Sequence, residues 1–252
     1  GPDGKALIRK GGAFKKLSPY QLPDYVQSLY FDFDDDAEQI LQKGTDLNTK
    51  LIEKNATVVK SIHASGATSY RVAAEMLRAD KDTSVMTKNW LPEKDNEPQV
   101  APLSDGAGQY PTVGRAALYL ALNRSGNEIE REIDQAIRRL VLAGGMLQSM
   151  KNESDKPKVL CYVGFSVAGG TGTGIFYDVI HLLEKRLNTI LEGIEVNIFP
   201  LTLLPSAFVE NWKPNNVKAG KSNAAIALKD LAQLVEHLQK DDQPEDFKIH
   251  YP

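Results

Sequence analysis

Glycine and threonine alternate in one short stretch of the chain, and both residue types favour the binding of phosphate. The stretch is Ala168-Gly169-Gly170-Thr171-Gly172-Thr173-Gly174. Because glycines tolerate positive φ angles and carry no Cβ, consecutive backbone N–H groups can line one concavity around an anion. The hydroxyls of Thr171 and Thr173 add donors to phosphate oxygens, or hold a water molecule on a metal ion. The stretch therefore predicts an anion site, with phosphate as the favoured ligand.

The spacing of these glycines excludes two common phosphate loops. No Lys-Ser or Lys-Thr pair follows the last glycine, as a P-loop requires. The dinucleotide fingerprint GxGxxG leaves two residues between its second and third glycines, whereas Gly170, Gly172 and Gly174 are separated by single threonines. A purely structural alternative stays open, in which the glycines let a helix pack closely against a strand.

A second glycine turn, Gly106-Ala107-Gly108-Gln109, precedes the run Pro111-Thr112-Val113-Gly114-Arg115 and a helix predicted over residues 116–122. Glycines again free backbone N–H groups just before a helix, so this turn can form a second wall of the anion site. A simple loop with a helix cap explains the same residues, and that alternative also stays open.

Acidic residues follow a strand that is predicted over residues 25–33. The run Asp34-Asp35-Asp36-Ala37-Glu38 comes directly after this strand. Carboxylates at the carboxyl end of a strand suit a ribose or a hydrated Mg²⁺ ion in an α/β fold, so Asp34 and Asp36 are candidate ligands. The alternative is the solvated start of a helix, because aspartate is favoured at the N-cap and in the first turn.

Strands and helices alternate along the rest of the chain, which predicts an α/β fold. The apolar run 159–165 predicts a strand before the glycine stretch, and the following helix is expected from about Gly174 to about Asn188. Residues 194–204 predict a strand that is buried on both faces, as parallel sheets require. Helices are also predicted over 70–78, 127–148 and 223–239, a short strand over 56–59, and a polar connection over 81–102.

The composition is that of an ordinary globular chain. Of the 252 residues, 42% are hydrophobic and 25% charged, and the net charge of −3 gives no general attraction to nucleic acid or to anionic lipid. No apolar run is long enough to predict insertion into a membrane. The single cysteine, Cys161, excludes a disulfide framework and favours a reducing compartment, so the protein is expected to be cytoplasmic.

The run GGTGTG at residues 169–174, followed by an apolar helix, resembles the phosphate loop of the tubulin/FtsZ family of GTPases. The family also carries Gly-Ala-Gly followed by Pro-x-Val-Gly-Arg, which this chain matches in the same order at residues 106–115, and in the family that loop faces the terminal phosphate. The acidic run at residues 34–38 is similar in place to Asn-Thr-Asp-Ala-Gln. Glu210 matches an acidic residue that approaches the ribose, whereas Pro214 stands where the family has an arginine, with Lys213 as a possible substitute.

The resemblance implies a Rossmann-like fold over residues 1–252, with three layers and a doubly wound, mostly parallel sheet. It also implies GTP or GDP as ligand, with Mg²⁺ coordinated largely by water, and a bacterial cytoskeletal filament in which subunits associate head to tail and hydrolyse GTP at their contact. The alternative is a non-polymerising nucleotide-sensing or scaffold module with little or no GTPase activity in a larger bacterial complex. An enzyme that uses a dinucleotide is disfavoured by the glycine spacing.

Several parts of the family pattern are not found, namely the first strand with its own glycine loop, the central helix with its guanine-binding asparagine, the acidic loop and the second domain. No catalytic residue is therefore assigned, and the chain, which begins Gly1-Pro2 without a methionine, is expected to be a fragment. Alanine at Gly170 and Gly172 is expected to abolish nucleotide binding and to leave the fold intact.

Overall fold

The computed structural model describes residues 7–10, 13–16, 25–33, 56–59, 69–100, 102–124, 128–148 and 158–239. The strands are β1 (Leu7–Lys10), β2 (Ala13–Lys16), β3 (Ser28–Phe31), β4 (Ala56–Val59), β5 (Lys158–Ser166) and β6 (Glu195–Leu203). The helices are α1 (Tyr70–Ala79), α2 (Lys81–Thr87), α3 (Pro111–Arg124), α4 (Glu128–Gln148), α5 (Gly170–Ile190) and α6 (Pro214–Gln239). Asp34 and Asp36, two of the predicted ligands, lie outside the described residues.

The described strands form three two-stranded sheets. β1 and β2 pair antiparallel, whereas β3 pairs with β4, and β5 with β6, in parallel. Between β5 and β6 the register places Lys158 opposite Glu195 and Ser166 opposite Leu203, and α5 is the crossover that parallel neighbours need. The prediction of an α/β chain with parallel strands is confirmed.

The main core lies where α3 packs against α5. Ala116, Ala117 and Ala121 of α3 are fully buried, and such small side chains let the two helix axes approach closely. Apolar residues of four helices complete this core: Tyr70, Ala73, Ala74 and Leu77 of α1, Val113, Leu118 and Leu120 of α3, Ile129, Ile133 and Ile137 of α4, and Ile175, Val179, Leu183 and Leu187 of α5. The 3.6-residue spacing of these positions explains why each segment is helical.

One face of the β5–β6 pair is exposed in the described part of the chain. Phe199, Leu201 and Leu203 of β6 are each more than two-fifths exposed, and the Phe199 ring stacks on Tyr162 of β5 at 5.3 Å between centroids. The prediction that this strand is buried on both faces is therefore wrong for the described residues. The opposite face follows the alternation of a strand and packs against the core through Val159, Cys161 and Val196.

α2 is a helix that the sequence pattern does not predict, and α3 and α6 begin earlier than predicted. Residues 81–87, predicted as connection, form α2, because the carboxylate of Asp80 accepts the N–H groups of Asp82 and Thr83 and so caps the helix. α3 and α6 begin at Pro111 and Pro214, where the fixed φ of proline suits the first helical position. None of the helices in the described part of the chain combines the length and hydropathy that a membrane span requires.

Candidate functional site

The glycine stretch after β5 forms the start of a helix rather than a loop. α5 begins at Gly170, a turn earlier than the predicted start near Gly174. The described glycines with positive φ are Gly106, Gly108 and Gly193, and none of them lies in this stretch. The prediction that glycine supplies positive φ here is therefore wrong, and the absence of a Cβ must explain the residue type.

Three glycines of α5 each lie against a backbone carbonyl oxygen of a neighbouring segment. The pairs in contact are Gly170 with Ala107, Gly172 with Ser166, and Gly174 with Pro111. A Cβ on Gly170 would lie 2.6 Å from its partner oxygen, and on the other two it would lie closer still, which real Cβ atoms do not tolerate. Close packing therefore accounts for these glycines, and the expectation that alanine at Gly170 and Gly172 leaves the fold intact is at odds with the structure.

The two glycine turns are in direct contact. The N–H group of Gly170 donates to the carbonyl oxygen of Gly108 at 2.7 Å. Gly106 and Gly108 adopt φ angles of 86° and 55°, which are accessible to glycine and strained for other residues. The structure thus brings together residues 106–109, here called the 106–109 turn, and residues 169–172, here called the 169–172 turn.

Backbone N–H groups in both turns have no hydrogen-bond partner among the described residues. In the 106–109 turn they are those of Ala107, Gly108 and Gln109, and in the 169–172 turn those of Gly169, Thr171 and Gly172. The first N–H groups of a helix lack intrahelical partners, and Gly169 at the N-cap has no side chain to supply one. Such N–H groups at a helix N-terminus and in a turn of positive φ favour an anion.

Two polar side-chain atoms beside these turns are also buried without a protein partner in the described part of the chain. They are Thr173 Oγ1, on a side chain that is only 5% exposed, and Gln109 Oε1. A buried hydroxyl or amide oxygen without a hydrogen bond costs about 1–3 kcal/mol, so both atoms are expected to meet a ligand or a water molecule.

Helix α6 forms a third wall that the sequence analysis did not predict. Asn223 Nδ2 donates to the carbonyl oxygen of Gln109 at 2.9 Å, and Gly220 lies so close to Ala168 that an added Cβ would be 3.1 Å from its carbonyl oxygen. Gly220, Asn223, Ala224 and Ala227 share one helix face at positions i, i+3, i+4 and i+7. The sequence signal for this wall is a row of small residues with one asparagine on a single helix face. The mean hydropathy of such a face is too low for the sequence pattern to indicate that it is buried.

A family model described as tubulin-like matches residues 7–252. The chain belongs to the tubulin-like family. Searches of curated proteins and of solved structures give no match. The family match confirms the resemblance that the two glycine motifs carry.

The third predicted contact of the tubulin-like chain is Glu210, which lies shortly before α6 in the sequence. Glu210 is exposed in the short helical segment Val209–Asn211, and no hydrogen bond or ion pair joins it to either glycine turn. Lys213 is exposed as well, and Pro214 opens α6. The structure therefore brings together the two glycine motifs, whereas the ribose-binding role of Glu210 stays a prediction.

Arg115, the last residue of the tubulin-like Pro-x-Val-Gly-Arg motif, joins α3 to α5. Its Nε lies 3.1 Å from Asp178 Oδ2 and its Nη2 3.2 Å from Asp178 Oδ1, while the guanidinium carbon lies 5.0 Å from the centre of the Trp90 ring. Burial raises the pKa of the Asp178 carboxyl, and Arg115 opposes that rise. Gly114 lets α3 approach α5 closely, because a Cβ on Gly114 would lie 2.7 Å from the carbonyl oxygen of Gly170.

Proposed function

We propose that this tubulin-like protein binds GTP or GDP, with the phosphates held against the 106–109 turn and the 169–172 turn. The observation that carries the proposal is the direct contact between these turns, both of which contain backbone N–H groups without partners among the described residues. By analogy with the family, the 106–109 turn receives the terminal phosphate and the N-terminus of α5 receives the phosphates nearer the ribose. The helix dipole adds to the attraction for negative charge.

The proposal extends to assembly and hydrolysis. Identical subunits associate head to tail into a filament in the cytoplasm, and the adjoining subunit supplies the group that activates the attacking water. Mg²⁺ would be held largely by the phosphates and water, and the hydroxyl of Thr171 would hold one of these water molecules; the described residues contain no cluster of metal-binding side chains that would hold an ion by itself. In the complete sheet, β5 and β6 are central strands of a three-layer, doubly wound arrangement.

Nucleotide binding is tested by thermal unfolding of the purified chain with GTP, GDP, ATP or NAD. A ligand that binds only the folded state raises Tm, and we expect GTP and GDP to do so at concentrations where ATP and NAD have little effect. A shift with NAD alone would favour a dinucleotide enzyme, and no shift with any of the four would refute the proposed site.

Assembly is tested separately by sedimentation. We expect the full-length protein to pellet with GTP and to stay in the supernatant with GDP. Nucleotide binding without sedimentation under either condition would favour the non-polymerising module over the filament.

Replacing Thr173 by valine separates a ligand-binding role from a structural one. Valine has nearly the same shape and removes a hydroxyl that has no partner in the part of the chain that the structure describes, so the free energy of unfolding without nucleotide should stay within about 1 kcal/mol or rise. GTP should bind several-fold more weakly, as measured by titration calorimetry. The matched control is Thr83→Val, because Thr83 is equally buried but its Oγ1 donates to the carbonyl oxygen of Leu77 at 3.1 Å. The control should lose stability and keep its GTP affinity. If Thr173→Val lost stability and kept its GTP affinity, Thr173 would not belong to the nucleotide site.

A further inference from the structure

We propose that Asn223 is a positioning residue that holds the 106–109 turn in the conformation that receives the terminal phosphate. This inference rests on the proposed function. It concerns a residue of α6 that lies 114 positions from its partner in sequence, and the contact is a hydrogen bond from the Asn223 side chain to the carbonyl oxygen of Gln109.

Two hydrogen bonds from other segments are accepted by consecutive carbonyl oxygens of the 106–109 turn. The N–H group of Gly170 donates to the carbonyl oxygen of Gly108 at 2.7 Å, and Asn223 Nδ2 donates to the carbonyl oxygen of Gln109 at 2.9 Å. In a planar trans peptide the C=O and the next N–H point in opposite directions. The first bond therefore orients the N–H of Gln109, and the second orients the N–H of Tyr110, which closes the turn on the carbonyl oxygen of Ala107 at 3.2 Å.

On the side of Gly108 the turn depends on these bonds, because no atom of the described residues lies within 4 Å of the place where a Cβ on Gly108 would be. On the other side of the turn, Ala107 is buried in the main core. Two glycines at positive φ also have many conformations available when the bonds are absent. Loss of the Asn223 bond should therefore let the N–H groups of the turn reorient.

Helix α6 also packs beside the 169–172 turn through a contact that does not involve Asn223. The loss of the Asn223 amide should therefore affect one turn more than the other. Gly220 lies against Ala168 and against the ring of Trp212, about one helical turn before Asn223 on the same face. The 169–172 turn also belongs to α5 and is held by the close contacts of its glycines. Removing the Asn223 amide should thus impair the 106–109 turn and spare the other turn, so GTP binding should suffer more than GDP binding.

The test compares dissociation constants for GTP and GDP in single variants of the chain. Asn223→Leu keeps the shape of the side chain without its donor, Asn223→Gln keeps an amide donor, and Asn216→Leu is the control at an exposed position of the same helix. We expect Asn223→Leu to weaken GTP binding by about five- to tenfold and GDP binding by less than about twofold. Asn223→Gln should recover part of the GTP affinity, and the control should match the unaltered chain.

Hydrogen exchange of the nucleotide-free proteins gives a readout that does not depend on the ligand. The amides of residues 106–109 should exchange faster in Asn223→Leu than in the control, and Asn223→Ala serves if the leucine variant folds poorly. Unchanged exchange, or equal losses of GTP and GDP affinity, would overturn the positioning role. Failure of the unaltered chain to bind either nucleotide would instead overturn the proposed function. Faster exchange of residues 106–109 in Asn223→Leu would still show that Asn223 stabilises the conformation of this turn.

Discussion

Replacing Gly174 by alanine is expected to lower the free energy of unfolding by about 3 kcal/mol or more. The new methyl group would overlap the carbonyl oxygen of Pro111 and lie 3.0 Å from the backbone nitrogen of Arg115. Both atoms belong to the backbone of α3, so relief of the overlap requires α3 to separate from α5, and the main core lies between these helices. Urea unfolding followed by circular dichroism measures the effect.

The matched control for this prediction is Gly144→Ala. Gly144 also lies within a helix, α4, and apart from that helix's own backbone no atom of the described residues lies within 4 Å of the place where its Cβ would be. Alanine is favoured over glycine in helices by about 0.5–1 kcal/mol, so this variant should be more stable than the unaltered chain. If Gly174→Ala unfolded at the same urea concentration as the unaltered chain, the close approach of α3 to α5 would be wrong.

The glycines of α5 therefore have two roles that a glycine-to-alanine variant cannot separate. Gly170, Gly172 and Gly174 let neighbouring backbone come close, and that approach also brings the 106–109 turn to the N-terminus of α5. An alanine variant that fails to bind nucleotide would be expected whether or not the turns bind phosphate. Variants of Thr173 and Asn223 are more informative, because neither side chain is required by backbone packing.

The parts of the fold that the sequence predicts are those with a strong local signal. Ile129, Ile133 and Ile137 repeat at four-residue spacing and are all buried in α4, which runs close to its predicted bounds. The start of α5 was missed because glycine and threonine have low helix propensity, and packing against α3 overrides that preference. Propensity is a local property, whereas the contact with α3 joins residues that are distant in sequence.

The third wall of the site could not be predicted for a related reason. On α6 the large apolar Ile226 is 36% exposed, whereas the small Ala224 and Ala227 are buried against Phe165 and Phe176. A hydropathy pattern gives most weight to large apolar side chains, so it favours the wrong face when the true contact needs small ones. The hydropathy pattern does not indicate a role for Asn223 for the same reason, since Asn223 lies beside Ala224.

Replacing Arg115 by methionine is expected to destabilise the protein by about 3–5 kcal/mol at neutral pH. Methionine fills a similar volume but leaves the carboxylate of Asp178 largely buried beside α3 without its cation. The double variant Arg115→Met, Asp178→Leu should recover most of the loss, because it removes the charge as well as its partner. The control is Arg71→Met, since Arg71 forms an exposed pair with Glu75 and such pairs contribute little.

The pH dependence of the Arg115→Met variant distinguishes an uncompensated charge from a packing defect. Burial raises the pKa of Asp178 above its ordinary value of 3.8, so its folded state binds a proton more tightly than its unfolded state does. Stability from this group is therefore greatest below the unfolded pKa and falls as pH rises through the folded pKa. Without Arg115 the folded pKa is higher still, so the deficit relative to the unaltered chain should shrink as the pH is lowered from neutrality towards the unfolded pKa. A deficit of equal size at neutral and at acidic pH would mean that Arg115 acts through packing against Trp90 and Tyr119 rather than through its charge.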